Sequence, residues 1–143
     1  MGQRQATEAR EQSLSPRILI VDDLLAARTT IRSLLDWHGF QVCGDAKDGK
    51  EAIEKVIELK PDIVLLDINM PEINGIKAAF EINRISPATK IVFLTVLLPA
   101  HNDLAAMQGT RICAHGFVAK SAAGTDLIPT LSRLANNIQG GQN

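Results

Sequence analysis

Pro61-Asp62-Ile63-Val64-Leu65-Leu66-Asp67-Ile68-Asn69-Met70-Pro71 contains four consecutive aliphatic residues that stop on a carboxylate at Asp67. A short continuous apolar run with no polar alternation predicts a strand covered on both faces, the signature of a parallel sheet flanked by helices. Three further runs have the same form. Ile18-Leu19-Ile20-Val21 leads into Asp22-Asp23, Ile91-Val92-Phe93-Leu94 into Thr95, and Phe117-Val118-Ala119 into Lys120. If all run one way, their polar tips gather along one edge of the sheet, and open α/β sheets bind ligands outside the carboxyl ends of their strands.

The intervening segments carry helical periodicity. After the strand at 17–22, a helix is predicted from about Leu24 to Trp37, with Ile31, Leu34 and Leu35 on one face and Gly39 as its stop. A weaker strand, Gln41 to Ala46, follows. Asp48-Gly49 is a turn and N-cap signal for a helix over 50–59, with Ala52, Ile53, Val56 and Ile57 inward and Pro61 after it. The loop from Met70 to Gly75 opens a helix through Ile85, closed by Ser86-Pro87. Beyond Thr95, Leu97-Leu98-Pro99 precedes a helix expected around 102–111, the softest element because Gly109 and Thr110 are poor helix formers. Leu127, Leu131, Leu134 and Ile138 mark a last helix. The pattern predicts five βα units in a doubly wound five-stranded parallel sheet, with residues 1–16 a flexible polar extension, 17–138 the domain and 139–143 a frayed tail.

A chain of 143 residues suits one domain, and a 45% hydrophobic, 22% charged composition is ordinary for a globular protein. The net charge of −1 supplies no basic face for nucleic acid or an anionic membrane. Cys43 and Cys113 lack metal-ligand spacing and read as buried free thiols. His38, His101 and His115 form no relay or metal pattern and read as surface or packing residues. The first sixteen residues lack a signal-peptide apolar stretch and no run reaches membrane-spanning length, so a cytoplasmic protein is expected.

The polar tips carry the chemistry. Asp22 and Asp23 alone would serve as well as an N-cap for the following helix as for a metal. A third acid, Asp67, at another strand tip favours Mg²⁺, which takes carboxylate oxygens and compensates their mutual repulsion. Asp67 could itself act as a nucleophile and form an aspartyl-phosphate. Phosphoryl transfer asks mainly for positioning and charge neutralisation. The Lys120 ammonium and the Thr95 hydroxyl could supply both at the phosphoryl oxygens, although each alone would pass for an ordinary strand-end residue.

These stretches, together with Asp48-Gly49-Lys50-Glu51-Ala52, Asn74-Gly75 and Ala114-His115-Gly116-Phe117-Val118-Ala119-Lys120, resemble the receiver domain of bacterial two-component response regulators over about residues 17–138. The resemblance implies a flavodoxin-like fold with strand order 2-1-3-4-5. It makes Asp67 the phospho-acceptor. Asp23, Asp67 and the Asn69 backbone carbonyl become Mg²⁺ ligands, with Asp22 acting partly through water. Thr95 and Lys120 would hold the phosphoryl group, and Thr95 with Phe117 would form the switch that alters the surface of the 102–111 helix, the last strand and the last helix. The implied partners are a sensor histidine kinase or phosphotransfer protein upstream and a protein, or a second copy of the chain, downstream. Neither nucleic acid nor membrane is expected to bind this domain, which would be a self-phosphorylating and self-dephosphorylating phosphorelay component and not a turnover enzyme. Three departures from the family pattern stand out: Ser121 where proline is common, Cys113 where glycine is common, and the bulky Val96-Leu97 rim, expected to slow attack by water.

Competing readings remain. The first is the receiver fragment of a DNA-binding transcriptional regulator, since similar sequences usually precede a helix-turn-helix domain. A Mg²⁺-dependent phosphohydrolase also uses a strand-tip aspartate, but Asn69 stands where its second acid is needed. An FMN site is disfavoured because Asp22-Asp23 would repel the cofactor's phosphate.

Overall fold

The structure, a computed structural model, describes residues 15–70, 75–95 and 114–140, with side chains omitted for Thr95 and for 138–140. In chain order the elements are β1 (Arg17–Val21), α1 (Leu25–Trp37), β2 (Gln41–Ala46), α2 (Gly49–Leu59), β3 (Ile63–Asp67), α3 (Gly75–Ile85), β4 (Lys90–Thr95), β5 (Ala114–Ala119), a 3₁₀ turn (Lys120–Ala122) and α4 (Ala123–Gly140). All strands pair in parallel, in the order β2-β1-β3-β4-β5. This is the expected doubly wound sheet. The segment 96–113, with Val96, Leu97, Leu98, Pro99, His101, the 102–111 helix and Cys113, lies outside the described residues. So do 1–14, Pro71, Asn74 and 141–143.

Strand alternation divides the core in two. Leu19, Val21, Val64, Leu66, Ile91 and Phe93 face Ala52 and Val56 of α2 and Ala78, Ala79 and Ile82 of α3. Ile18, Ile20, Ile63, Leu65, Val92 and Leu94 face Ile31 and Leu35 of α1 and Leu127, Leu131 and Leu134 of α4. Because both faces are covered, the central strands read as unbroken apolar runs. The chain leaves β1 toward β2 on one side and resumes at β3 on the other, so the winding direction reverses between β1 and β3. A reversal of that kind opens a crevice at the strand tips.

Local chemistry sets the helix ends. Gly39 takes φ +81, where a side chain would be strained, and turns the chain so that Phe40 N–H bonds to the Leu35 carbonyl at 2.9 Å. The Asp48 carboxylate accepts the Glu51 N–H at 2.8 Å and caps α2 as expected. Ile57, expected inward, is 61% exposed. At 100° per residue it stands about 100° from Val56 and beyond the edge of the arc that Ala52, Val56 and Leu59 define. Cys43, expected buried, is only half-buried; its thiol reaches the Ile18 carbonyl at 3.5 Å, and burial pushes its pKa up. Pro129 lies within α4, which continues to Gly140, two residues past the expected boundary.

The end of the sheet opposite the strand tips is tightly tied. Arg17 N–H donates to the Asp62 carboxylate and Asp62 N–H to the Arg17 carbonyl, both at 2.8 Å. Lys90 N–H donates to the Asp62 carbonyl at 2.8 Å, and the Arg17 guanidinium to the Leu59 carbonyl at 2.6 Å. Three neighbouring strands and the end of α2 are joined there.

An acidic site at the strand tips

Parallel pairing carries Asp22 and Asp23, just past β1, to the side of Asp67 at the end of β3. One carboxylate oxygen from each lies within 4.8 Å of the others. Asp22 and Asp67 are buried, whereas Asp23 is exposed. Neither Asp22 nor Asp23 caps α1: the N-cap is Leu24, without a side-chain cap. The Asp22 carboxylate instead turns back on its own loop and accepts the Leu24 N–H at 2.9 Å.

Lys120 enters from the end of β5. Its ammonium pairs with Oδ2 of Asp22 and lies 3.4 Å from Oδ2 of Asp67. Apart from that ion pair, Asp22 Oδ2 is buried without a hydrogen-bond partner among the described residues. The other Asp67 oxygen accepts the Asn69 N–H at 3.0 Å. Burial raises the Asp67 pKa, and the Asp22 charge adds to that; the Asn69 N–H and Lys120 oppose it. For Lys120, burial disfavours the ammonium, but the two carboxylates outweigh that penalty and raise its pKa. One ammonium therefore faces three acids, and the cluster retains excess negative charge.

That donor set fits Mg²⁺, a hard cation that takes oxygen ligands at about 2.1 Å, so that opposite ligands stand roughly 4 Å apart. The carboxylate of Asp67 faces a cluster in which a cation would relieve the repulsion from Asp22.

The backbone at Asp67 is held from behind by α3. Gly75 N–H donates to the Ile68 carbonyl at 2.9 Å, and a Cβ on Gly75 would stand 2.2 Å from the Asp67 carbonyl oxygen. Only glycine admits this approach. The backbone of Thr95 ends β4 beside Ala119 of β5, while its side chain lies outside the described residues. Phe117 does not join the acids. It stacks against Phe93 on the adjacent strand, ring centroids 5.4 Å apart, and keeps 36% of its surface exposed.

Two contacts escaped the sequence reading, one at the site and one at the far end of the sheet. Arg28 of α1 donates to the Asp22 carbonyl at 2.6 Å and to the Asp45 carboxylate at 3.1 Å; a lone helical arginine gives no sequence signal. His115, read as surface or packing, occupies a register shift between β4 and β5, where its Nδ1 accepts the Ile91 N–H at 3.1 Å.

Residues 18–132 match the response regulator receiver domain family. The chain is 34% identical over 122 residues to the chemotaxis protein CheY of Thermotoga maritima, covering 85% of this chain and 99% of that one. It is 37% identical over 116 residues to the response regulator GacA of Pseudomonas viridiflava, covering 80% of this chain but 53% of GacA. Among solved structures, the response regulator domain of Thermotoga maritima CheB superposes with a TM-score of 0.76 at 30% identity, over 85% of this chain and 97% of that one. With sequence, fold and strand-tip acids in agreement, the chain belongs to the response regulator receiver domains of two-component systems.

Proposed function

We propose that this receiver is a Mg²⁺-assisted phosphoryl switch in which Asp67 accepts the phosphoryl group of a phosphohistidine on a sensor kinase or phosphotransfer protein. The observation that carries the reading is the meeting of Asp67 with Asp22, Asp23 and Lys120, delivered from three separate strands. Asp22, Asp23, Asp67 and the Asn69 carbonyl would hold the cation, which when bound offsets the charge of the incoming phosphoryl group.

In transfer, an oxygen of ionised Asp67 bonds to phosphorus as the phosphorus–nitrogen bond of the donor histidine breaks, and the imidazole leaves with the bond's electron pair. Asn69 N–H holds one Asp67 oxygen in place. Lys120, already shared between Asp22 and Asp67, can follow charge onto the phosphoryl oxygens. The Thr95 hydroxyl is assigned a second contact to those oxygens. Phe117, partly exposed within β5, is assigned the rotation that reports phosphorylation to the surface of the last strand and last helix. The exposed Leu24 and Leu25 at the rim offer the incoming protein an apolar contact.

The output is a protein contact, to a downstream partner or a second copy of the chain, in the cytoplasm. Among the described residues no helix is long and apolar enough to cross a membrane. The same switch would serve a protein of this length, as coverage of the chemotaxis protein suggests, or one part of a longer regulator, as with GacA.

Incubation with a small phosphodonor and Mg²⁺, followed by intact mass, tests the proposal. Wild type gains one phosphoryl mass; Asp67→Asn does not, nor does wild type with chelator. Equal gain by Asp67→Asn would refute it.

A further inference from the structure

Arg28 is largely buried, with 14% of its side chain exposed. Its guanidinium spans two strand tips: Nη1 donates to the Asp22 carbonyl at 2.6 Å and Nε to Asp45 Oδ2 at 3.1 Å. Asp45 lies on β2, directly across from Ile20 of β1. The Asp22 N–H is meanwhile fixed by the Ala46 carbonyl at 3.0 Å, and the Asp22 carboxylate by Leu24 N–H and Lys120. The Asp22 carbonyl belongs to the peptide from which Asp23 projects. Asp23 itself is exposed and makes no side-chain hydrogen bond among the described residues, so the place of its Cβ is fixed by that peptide and not by any contact of its carboxylate.

We infer that Arg28 is a positioning residue for the acidic cluster, clamping the Asp22–Asp23 peptide so that the Asp23 carboxylate points toward Asp67. The inference rests on the Mg²⁺ reading above and extends it to a residue that touches none of the three carboxylates of the cluster in this structure.

Charge and position act in opposite directions here, which makes the role testable. A guanidinium near the site repels a cation, so as a mere charge its removal would tighten Mg²⁺ binding. As a positioning group its removal loosens binding, and losing a group that orients a metal ligand commonly costs about 10- to 100-fold in affinity. Mg²⁺ titration by calorimetry on wild type, Arg28→Gln and Arg28→Lys separates the cases, with circular dichroism to verify folding. The expected result is at least tenfold weaker binding by Arg28→Gln and an intermediate loss for Arg28→Lys, which keeps the charge but lacks the two-armed fork.

A second readout needs no metal. In the metal-free protein, the Asp23 amide proton should shift and exchange faster in Arg28→Gln, because its peptide loses the carbonyl clamp. Unchanged or tighter binding by folded Arg28→Gln overturns the inference, as does an Asp23 amide identical to wild type. If Arg28→Gln fails to fold, Arg28→Lys decides by the same two measurements. Failure of wild type to bind Mg²⁺ would sink the functional reading, an outcome distinct from wild-type binding that is indifferent to Arg28.

Discussion

Gly75→Ala is the most demanding perturbation of the site's geometry. On helix propensity alone, alanine at the first residue of α3 should stabilise by up to about 1 kcal/mol. Sterics reverse that sign. The added Cβ would lie 2.2 Å from the Asp67 carbonyl oxygen, 2.6 Å from Ile68 Cα and 2.9 Å from Asp67 C. Carbon and oxygen atoms in contact stand about 3.4 Å or more apart, so α3 must retreat roughly 1 Å from the strand tip. All three obstacles are backbone, leaving no side chain to step aside. The retreat stretches the 2.9 Å bond from Gly75 N–H to the Ile68 carbonyl. Overpacking of this kind costs about 1–3 kcal/mol, which a urea titration would register as a midpoint lowered by about 1 M. Phosphorylation by a small donor should slow more than tenfold, because Asp67 moves with its backbone. A variant as stable as wild type and equally quick to take up phosphate would refute the close-approach argument.

Lys120→Met retains the apolar stem but leaves Asp22 and Asp67 facing each other. We expect a loss of about 3 kcal/mol at neutral pH without metal, partly recovered with millimolar Mg²⁺ in thermal unfolding. Asp67→Asn should instead stabilise the metal-free protein at pH 7, because it removes a buried charge that faces Asp22. A carboxyl whose pKa is raised on folding loses stability as pH rises from about 4 through the folded value, and the amide removes that titration. Equal melting of the two proteins at pH 4 and pH 7 would contradict this. His115 shifts the opposite way: burial first, then Lys90, hold its pKa below the ordinary value, and its Nδ1 must be unprotonated to accept the Ile91 N–H. Its stabilisation is complete above about pH 6.5 and lost as pH falls through the lowered folded value. His115→Phe should therefore cost about 1 kcal/mol at pH 7.5 and less at pH 5, read by denaturant midpoints at both pH values.

The central strands were legible because burial on both faces removes the need for polar alternation, so Ile18–Val21, Ile63–Leu66 and Ile91–Leu94 are continuous in the chain as in the core. The acids were legible because a carboxylate directly after such a run has no packing role. What escaped depends on partners distant in sequence. Arg28 matters through a carbonyl, and backbone acceptors are identical at every residue. Gly75 reads as a turn residue, but its necessity comes from the strand tip pressed against it. Ile57 shows the limit of composition: an aliphatic residue one step beyond the buried arc is left in solvent. His115 has meaning only through the register shift that leaves it unpaired between Ala114 and Gly116, within reach of the Ile91 N–H.

The hydrogen-bonded knot of Arg17, Asp62 and Lys90 at the far end of the sheet has a practical consequence. Elements joined there move together, so displacement provoked at the opposite edge grows with distance from that pivot. A fluorophore or fusion partner attached next to Ser15 would sit on the stationary end and stay silent, whereas one carried at Ser121, on the 3₁₀ turn that leads into α4, would ride the part free to swing.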